Sequence, residues 1–330
     1  MARSFHRHEQ CLFSWPAAVH PRRNLESDRS NNFHFQTAII RELNTEVNSE
    51  PTLEQQSKQK LKAIKSVQNQ FSNSLQPMAI LVYADEGAGP RSVRLLIKAL
   101  KSLKLHEKYK LQRVNRKALA ASGWEKDASL LIFPGGRDTP YHQSLKGKPN
   151  ENIRRYVEEG GAYLGICAGG YYGSAEVEFE KGHPLEVVGK RELGFFPGIA
   201  RGSAFGPNLF KYEDESGSQA AHIHWMENSL LPIYFNGGCA FVDAAAYTNT
   251  RVLATYAELP GNPAAVVECS IGKGKAILSG VHPEYAYPHI EHIPTIPSLV
   301  LSTLKNHEPQ REQFFRSLLE TILASRDNLS

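Results

Sequence analysis

Three short stretches of this chain carry side chains that could do covalent chemistry together. In Tyr163-Leu164-Gly165-Ile166-Cys167-Ala168-Gly169-Gly170 an apolar run ends in a thiol flanked by glycines. This pattern predicts a strand that turns abruptly into a helix, with the central side chain held at the top of a sheet and small neighbours leaving room for the turn. A thiol in the first turn of a helix also feels the positive end of the helix dipole, which favours the thiolate. The same residues admit a second reading, a small cysteine buried in a glycine-rich packing turn, because cysteine is among the residue types most often buried.

The second stretch, Leu131-Ile132-Phe133-Pro134-Gly135-Gly136, is an apolar run ending in a turn. There the bare backbone N–H groups of Gly135 and Gly136 can approach a substrate and hold an oxyanion. The third, Ala276-Ile277-Leu278-Ser279-Gly280-Val281-His282-Pro283-Glu284, is another apolar run closing on two ionisable groups. In extended chain, residues two apart point the same way, so His282 and Glu284 share a face, as a base and the carboxylate that orients it must. Alone, His282 reads as a hydrogen-bonded structural histidine. With Cys167 it completes a thiol, an imidazole and an acid, each just past the end of an apolar strand, the constellation of an activated nucleophile.

The order Pro-Gly-Gly, Gly-x-Cys-x-Gly, His-Pro-Glu resembles the class I glutamine amidotransferase family. That resemblance implies a catalytic triad of Cys167, His282 and Glu284, with an oxyanion hole from N–H groups near Gly136 and Ala168. A closer likeness is to the biotin protein ligase N-terminal domain family, glutamine-amidotransferase-like domains that precede some biotin ligases and also occur alone. It rests on Val82 to Pro90 (VYADEGAGP), Gly165 to Gly173 (GICAGGYYG) and Tyr234 to Phe241 (YFNGGCAF), and runs over roughly residues 77 to 290. One departure matters. Glutamine-using members continue past the cysteine as Gly-His-Gln, whereas this chain has Gly169-Gly170-Tyr171-Tyr172, so the resemblance does not carry glutamine over as the substrate. Cys239 follows Asn236-Gly237-Gly238 where relatives often carry another glycine.

The elements that must position these groups alternate. Met78 opens a globular stretch in which Ala79 to Tyr83, Lys110 to Val114, Ser129 to Phe133 and Ala162 to Ile166 read as strands. A helix carrying Val93, Leu95, Leu96, Leu100 and Leu103 follows the first, and a helix over Asn152 to Glu159 precedes the fourth. Arg137, Asp138 and Tyr141 read as a loop over the crevice. Strand, glycine turn and helix in repetition predict an α/β fold: a mostly parallel, doubly wound sheet with helices on both faces, whose ligands gather where strands end. Gly87-Ala88-Gly89-Pro90 is the first such turn. It lacks the continuation of a nucleotide site and reads as a tight turn, with Asp85 and Glu86 beside the crevice.

Beyond Tyr172 the chain becomes polar and turn-rich, the segment expected to build a substrate pocket. Asn236, Gly237 and Gly238 either offer amide and backbone contacts to a polar ligand or form a hairpin turn, and both readings stand. Val252 to Tyr256, Ala264 to Cys269 and Lys275 to Leu278 read as an antiparallel meander closing on His282. Two C-terminal helices follow, the second with an apolar stripe of Phe314, Phe315, Leu318, Leu319 and Ile322.

Composition bounds the rest. Among 330 residues, 41% hydrophobic, 38 basic and 34 acidic groups leave a net charge of +4, too mild for a nucleic-acid-binding stripe. Lys98, Lys101, Lys104, Lys108 and Lys110 read as the solvated face of one helix and its exit. The 4 cysteines, at 11, 167, 239 and 269, show no paired spacing, which favours a reducing compartment over disulfides or zinc. His222 and His224 share a strand face without a third ligand at metal-site spacing. No apolar run reaches membrane-spanning length. A cytoplasmic protein is expected. The arginines of the first thirty residues allow a mitochondrial presequence instead, although Pro16, Pro21, Glu9, Glu26 and Asp28 interrupt any amphipathic helix there.

These observations predict a polar lead over residues 1–76, with one helix from Pro51 to Phe71, and an α/β domain over 77–330. They predict a cysteine-dependent enzyme acting on the carbon–nitrogen bond of a small-molecule or peptide amide. No cofactor, metal, nucleic acid or membrane is implied. A homo-oligomer or a partner protein is compatible with the apolar C-terminal stripe. The alternative is a non-catalytic regulatory or protein-interaction module of the same fold. Biotin ligation by this chain is not expected, since the glycine-arginine-rich biotin loop is absent.

Overall fold

The computed structural model describes residues 78–211, 214–226 and 229–327, together with 60 and 62. The chain divides between Phe71 and Ser72, and the strands and helices named below belong to the second unit. The helix expected over Pro51 to Phe71 is described only at Lys60 and Lys62, both helical, and otherwise lies outside the described residues.

In chain order the strands are Ala79–Tyr83 (β1), Lys110–Val114 (β2), Ala128–Phe133 (β3), Ala162–Ile166 (β4), Ser174–Phe179 (β5), Val187–Lys190 (β6), Phe196–Gly202 (β7), Gln219–His224 (β8), Leu230–Phe235 (β9), Cys239–Phe241 (β10), Thr250–Tyr256 (β11), Ala264–Ile271 (β12) and Gly274–Ser279 (β13). The helices that shape the site and its support are Pro90–Ser102 (α1), Asp138–Leu145 (α2), Lys148–Glu158 (α3), Ala168–Tyr172 (α4), Ser298–Asn306 (α5) and Glu308–Asp327 (α6).

Strands β2-β1-β3-β4-β13 lie side by side and all parallel. The sheet continues from β13 through β12, β10 and β7 by antiparallel pairing, then to β5, parallel to β7, and the edge strand β6. A branch carries β11, β8 and β9 away from β12, and β11, β12 and β13 form the expected meander.

Strands β1, β3 and β4 are buried from end to end, which is why they read as unbroken apolar runs rather than alternating ones. Successive side chains still go to opposite faces. Ile80, Val82, Leu130, Ile132, Leu164 and Ile166 pack with α1 and with the α6 stripe of Phe314, Phe315, Leu318, Leu319 and Ile322. Leu81, Tyr83, Leu131, Phe133 and Tyr163 pack with Tyr141 and Leu145 of α2 and Ile153, Tyr156 and Val157 of α3. The sheet is therefore covered on both sides, as the alternation of elements predicts. On the second face an aromatic stack forms: Tyr83 lies on Phe133 at 4.6 Å between ring centroids, and Tyr141 and Tyr172 meet Phe133 at 5.3 Å each.

Two expectations need correction. Arg137, Asp138 and Tyr141 do not form a loop over the crevice, because Asp138 opens α2 and Tyr141 is fully buried, its hydroxyl donating to the Pro134 carbonyl at 3.0 Å. Burial pushes the Asp138 carboxyl up, while the Arg191 guanidinium, 2.6 Å away, pulls it down. The hairpin reading of Asn236-Gly237-Gly238 also falls: β9 pairs with β8, whereas β10 pairs with β7 and β12, so this segment crosses from one branch of the sheet to the other.

Candidate functional site

Cys167 stands at the junction of β4 and α4 with φ 51° and ψ −106°, a positive-φ backbone outside the left-handed helical region that a non-glycine residue adopts only under constraint. The constraint is visible in its hydrogen bonds. Its N–H donates to the Ser279 carbonyl at 2.7 Å, and its carbonyl accepts from Gly170 at 2.8 Å and Tyr171 at 3.0 Å. The first bond ties it to β13, whose Ser279 is in register with Ile166. Two adjacent parallel strands thus end at the same level, and the chain leaving β13 delivers His282 beside the chain leaving β4.

His282 and Glu284 meet as their spacing requires. The imidazole Nδ1 lies 2.8 Å from the Glu284 Oε1, and the Cys167 sulfur is near enough to the ring to favour its protonated form. Glu284 is fully buried and His282 is 4% exposed. Burial alone would lower the His282 pKa, but the Glu284 carboxylate and the Cys167 sulfur outweigh it and hold the imidazole well above the usual histidine range. Tyr285 closes over the ring at 4.6 Å, and its hydroxyl lies 3.1 Å from the Ser92 hydroxyl of α1. Behind the segment, the buried Arg311 of α6 donates to the Pro283 carbonyl and to Glu308, and Glu308 accepts from the Tyr287 N–H at 2.8 Å.

The Pro-Gly-Gly turn after β3 lies against the turn after β1. Gly89 donates to the Gly135 carbonyl at 2.9 Å, and Arg137 donates to the Gly87 carbonyl at 2.8 Å. The approach needs glycine at 136, where φ is 156° and a Cβ would come 2.0 Å from the Gly87 oxygen. Among the described residues, neither the Gly136 nor the Ala168 N–H donates to a backbone carbonyl. Ala168 follows Cys167 directly and Gly136 lines the same cavity as Cys167, each a donor without a main-chain partner.

A cavity of about 660 Å³ is lined by Gly136, Cys167, His282, Tyr285, Asn236 and Tyr234, and by Glu86, Arg91, Arg94, Phe210 and Glu215, while Gly135, Ala168 and Glu284 lie behind its wall. The size suits a small-molecule ligand. Glu86 faces it, whereas Asp85 turns away to accept from the Arg116 N–H at 3.1 Å. Asn236 is at the wall, its main-chain oxygen 3.8 Å from the Cys167 sulfur. Gly237 and Gly238 are not on it. Their carbonyls are taken up internally, by the Tyr171 hydroxyl at 3.1 Å and the Ala204 N–H at 2.9 Å. Cys239 is fully buried, and burial with the nearby Cys167 sulfur pushes its thiol well up, so it stays protonated.

Sequence reading missed Glu215, Tyr285, Ser92 and Arg91. Glu215 accepts from the Tyr234 hydroxyl at 2.5 Å, from the Asn236 Nδ2 at 2.7 Å and from Arg91. Nothing in its polar, turn-rich neighbourhood marks it, because its partners are 124, 19 and 21 residues away. Tyr285 had a readable signal, standing directly after Glu284. The lysines from Lys98 to Lys110 are all exposed, as read. No helix among the described residues is long and apolar enough to cross a membrane.

A family profile described as "Biotin-protein ligase, N terminal" matches residues 78–327. An uncharacterized protein of Chlamydia muridarum is 41% identical over 255 residues, 74% of this chain and 95% of the relative. A biotin–protein ligase of Schizosaccharomyces pombe is 39% identical over 217 residues, 63% of this chain but 34% of that protein's length. Among solved structures, a glutamine amidotransferase from Thermotoga maritima aligns over 75% of this chain and 99% of its own, with a TM-score of 0.45 and 12% identity. With its whole α/β domain matched by that profile, the chain belongs to the biotin-protein ligase N-terminal family.

Proposed function

We propose that this protein is a cysteine-dependent enzyme that cleaves or transfers at the carbon–nitrogen bond of an amide. Cys167 attacks the carbonyl carbon through its sulfur while the proton rests on His282, and Glu284 holds the imidazole and stabilises its charge. The N–H groups of Gly136 and Ala168 bind the oxyanion of the tetrahedral intermediate. On collapse the carbon–nitrogen bond breaks, the departing nitrogen takes the proton from His282, and a thioester to Cys167 remains. Water, deprotonated by the same imidazole, then attacks the thioester, releasing the acid and the Cys167 sulfur with the proton back on His282.

The observation that carries this reading is the convergence of Cys167 and the Glu284-bound His282 on one cavity. A buried ion pair serving the fold alone has no need of a sulfur held in a strained positive-φ backbone at the same cavity. The substrate class is a small-molecule or peptide amide. The test is labelling with an electrophilic amide mimic, followed by a metabolite-extract comparison. Cys167→Ala should abolish both labelling and every mass change seen with the wild type, whereas labelling that persists at the same rate in Cys167→Ala excludes this nucleophile.

A further inference from the structure

The Asn236 carboxamide is held so that its end is known. Its Nδ2 lies 2.7 Å from the Glu215 Oε2. A carboxylate offers only acceptors, so it is the amide NH2 that faces Glu215, and Oδ1 points the other way. Oδ1 is buried and has no hydrogen-bond partner among the described residues. Asn236 as a whole is 8% exposed, lines the cavity, and is the residue whose main chain touches the Cys167 sulfur. An orphaned acceptor in this position carries a standing cost that an incoming donor removes.

Glu215 is equally constrained. Besides Asn236 it accepts from the Tyr234 hydroxyl and from Arg91, and its own N–H donates to the Thr295 hydroxyl at 3.2 Å. Three donors from α1, β9 and the chain just past β9 converge on one carboxylate, which cannot turn without losing them. Burial, then the nearby Glu215 charge, pushes the Tyr234 hydroxyl well up, so it remains a donor to Glu215 and does not compete for Asn236 Oδ1.

We infer that Asn236 Oδ1 is the acceptor for a substrate N–H beside the attacked carbonyl, and that Glu215 is the positioning residue that aims it. The subsite selects amides bearing an N–H over tertiary amides and esters. This deepens the proposed amide chemistry at Cys167 and rests on it.

Alkylation of Cys167 tests the idea without knowledge of the natural substrate. The full chain is treated with iodoacetamide or with its N,N-dimethyl analogue, which has no N–H, and the Cys167 peptide is followed by mass spectrometry. Glutathione supplies the intrinsic rate ratio of the two reagents. In the wild type the ratio should exceed that of glutathione by about ten-fold, the value of one buried hydrogen bond. It should fall to the glutathione ratio in Asn236→Ala and Glu215→Ala. Glu215→Gln, which keeps an acceptor oxygen for the Asn236 NH2, should give an intermediate ratio and decides the matter if Glu215→Ala does not fold. A purely structural Glu215 would slow both reagents together and leave the ratio unmoved, which overturns its assigned role. A wild-type ratio equal to that of glutathione, with Cys167 still reacting faster than a free thiol, overturns the subsite alone. A Cys167 that reacts no faster than glutathione overturns the nucleophile reading, and the subsite with it.

Discussion

At the scale of single residues, the centre of this protein is a charge held out of water by its neighbour. His282 and Glu284 are both buried, and each is acceptable there only because of the other. The histidine's folded-state pKa lies well above its value in an unfolded chain, about 6.5. The protonated imidazole therefore contributes stability that is fully present below about pH 6.5 and fades as the pH climbs through the raised folded-state value. Replacing Glu284 by Gln leaves that charge without its carboxylate. Denaturant unfolding should show Glu284→Gln destabilised by about 3 kcal/mol near pH 6, with the gap to wild type narrowing toward pH 9. A gap that widens with pH would mean that the imidazole folds neutral.

At the scale of elements, the site depends on how closely they approach. The first turn of α4 packs on the end of β3 so tightly that a Cβ on Gly169 would stand 2.1 Å from the Phe133 carbonyl oxygen. No side-chain rotation relieves a clash with backbone, so Gly169→Ala should lower the melting temperature sharply or prevent folding, as read by circular dichroism. The α6 stripe acts through packing alone. Phe315 is fully buried, and Phe315→Ala should cost about 3–5 kcal/mol in chemical denaturation. Because Arg311 of the same helix holds the Pro283 carbonyl, α6 braces the His-Pro-Glu segment from behind.

Elements with a strong local signal were legible in the sequence. Strands β1 and β4 lie where their apolar runs place them, since a fully buried parallel strand is written as a continuous run. Cys167, His282 and Glu284 were legible for the same reason: each follows such a run by a few residues. Other features were not. Helix α2 was read as a loop because its amphipathic pattern is weak over 8 residues, and its stability comes from Tyr141 inserting among aromatic rings supplied by β1, β3 and α4. The crossing path at Asn236 admitted a hairpin beside a ligand-contact reading because two glycines between apolar runs carry no information about which strand each run will pair with. Glu215 was silent because its importance lies in partners that only the fold brings near.

At the scale of the whole molecule, the sheet is graded from a sealed parallel centre to open edges. Strands β3, β4 and β13 have a strand on each side and helices above and below, whereas β6 is an edge strand with alternating exposed residues. Hydrogen exchange followed by mass spectrometry should find the slowest amides in β3, β4 and β13 and fast exchange in β6. Since the Cys167 N–H bonds to β13, its own amide should exchange with that slow group.

The two indoles of the described domain lie on opposite sides of this sheet. Trp124 rests against Tyr156 on the face covered by α2 and α3, and Trp225 rests against Phe314 on the face covered by α6. Each covering layer thus carries its own fluorophore. With Trp15 and one of the pair replaced by Phe, emission from the survivor reports a single side of the sandwich, so undocking of the terminal helix can be timed independently of melting across the other layer.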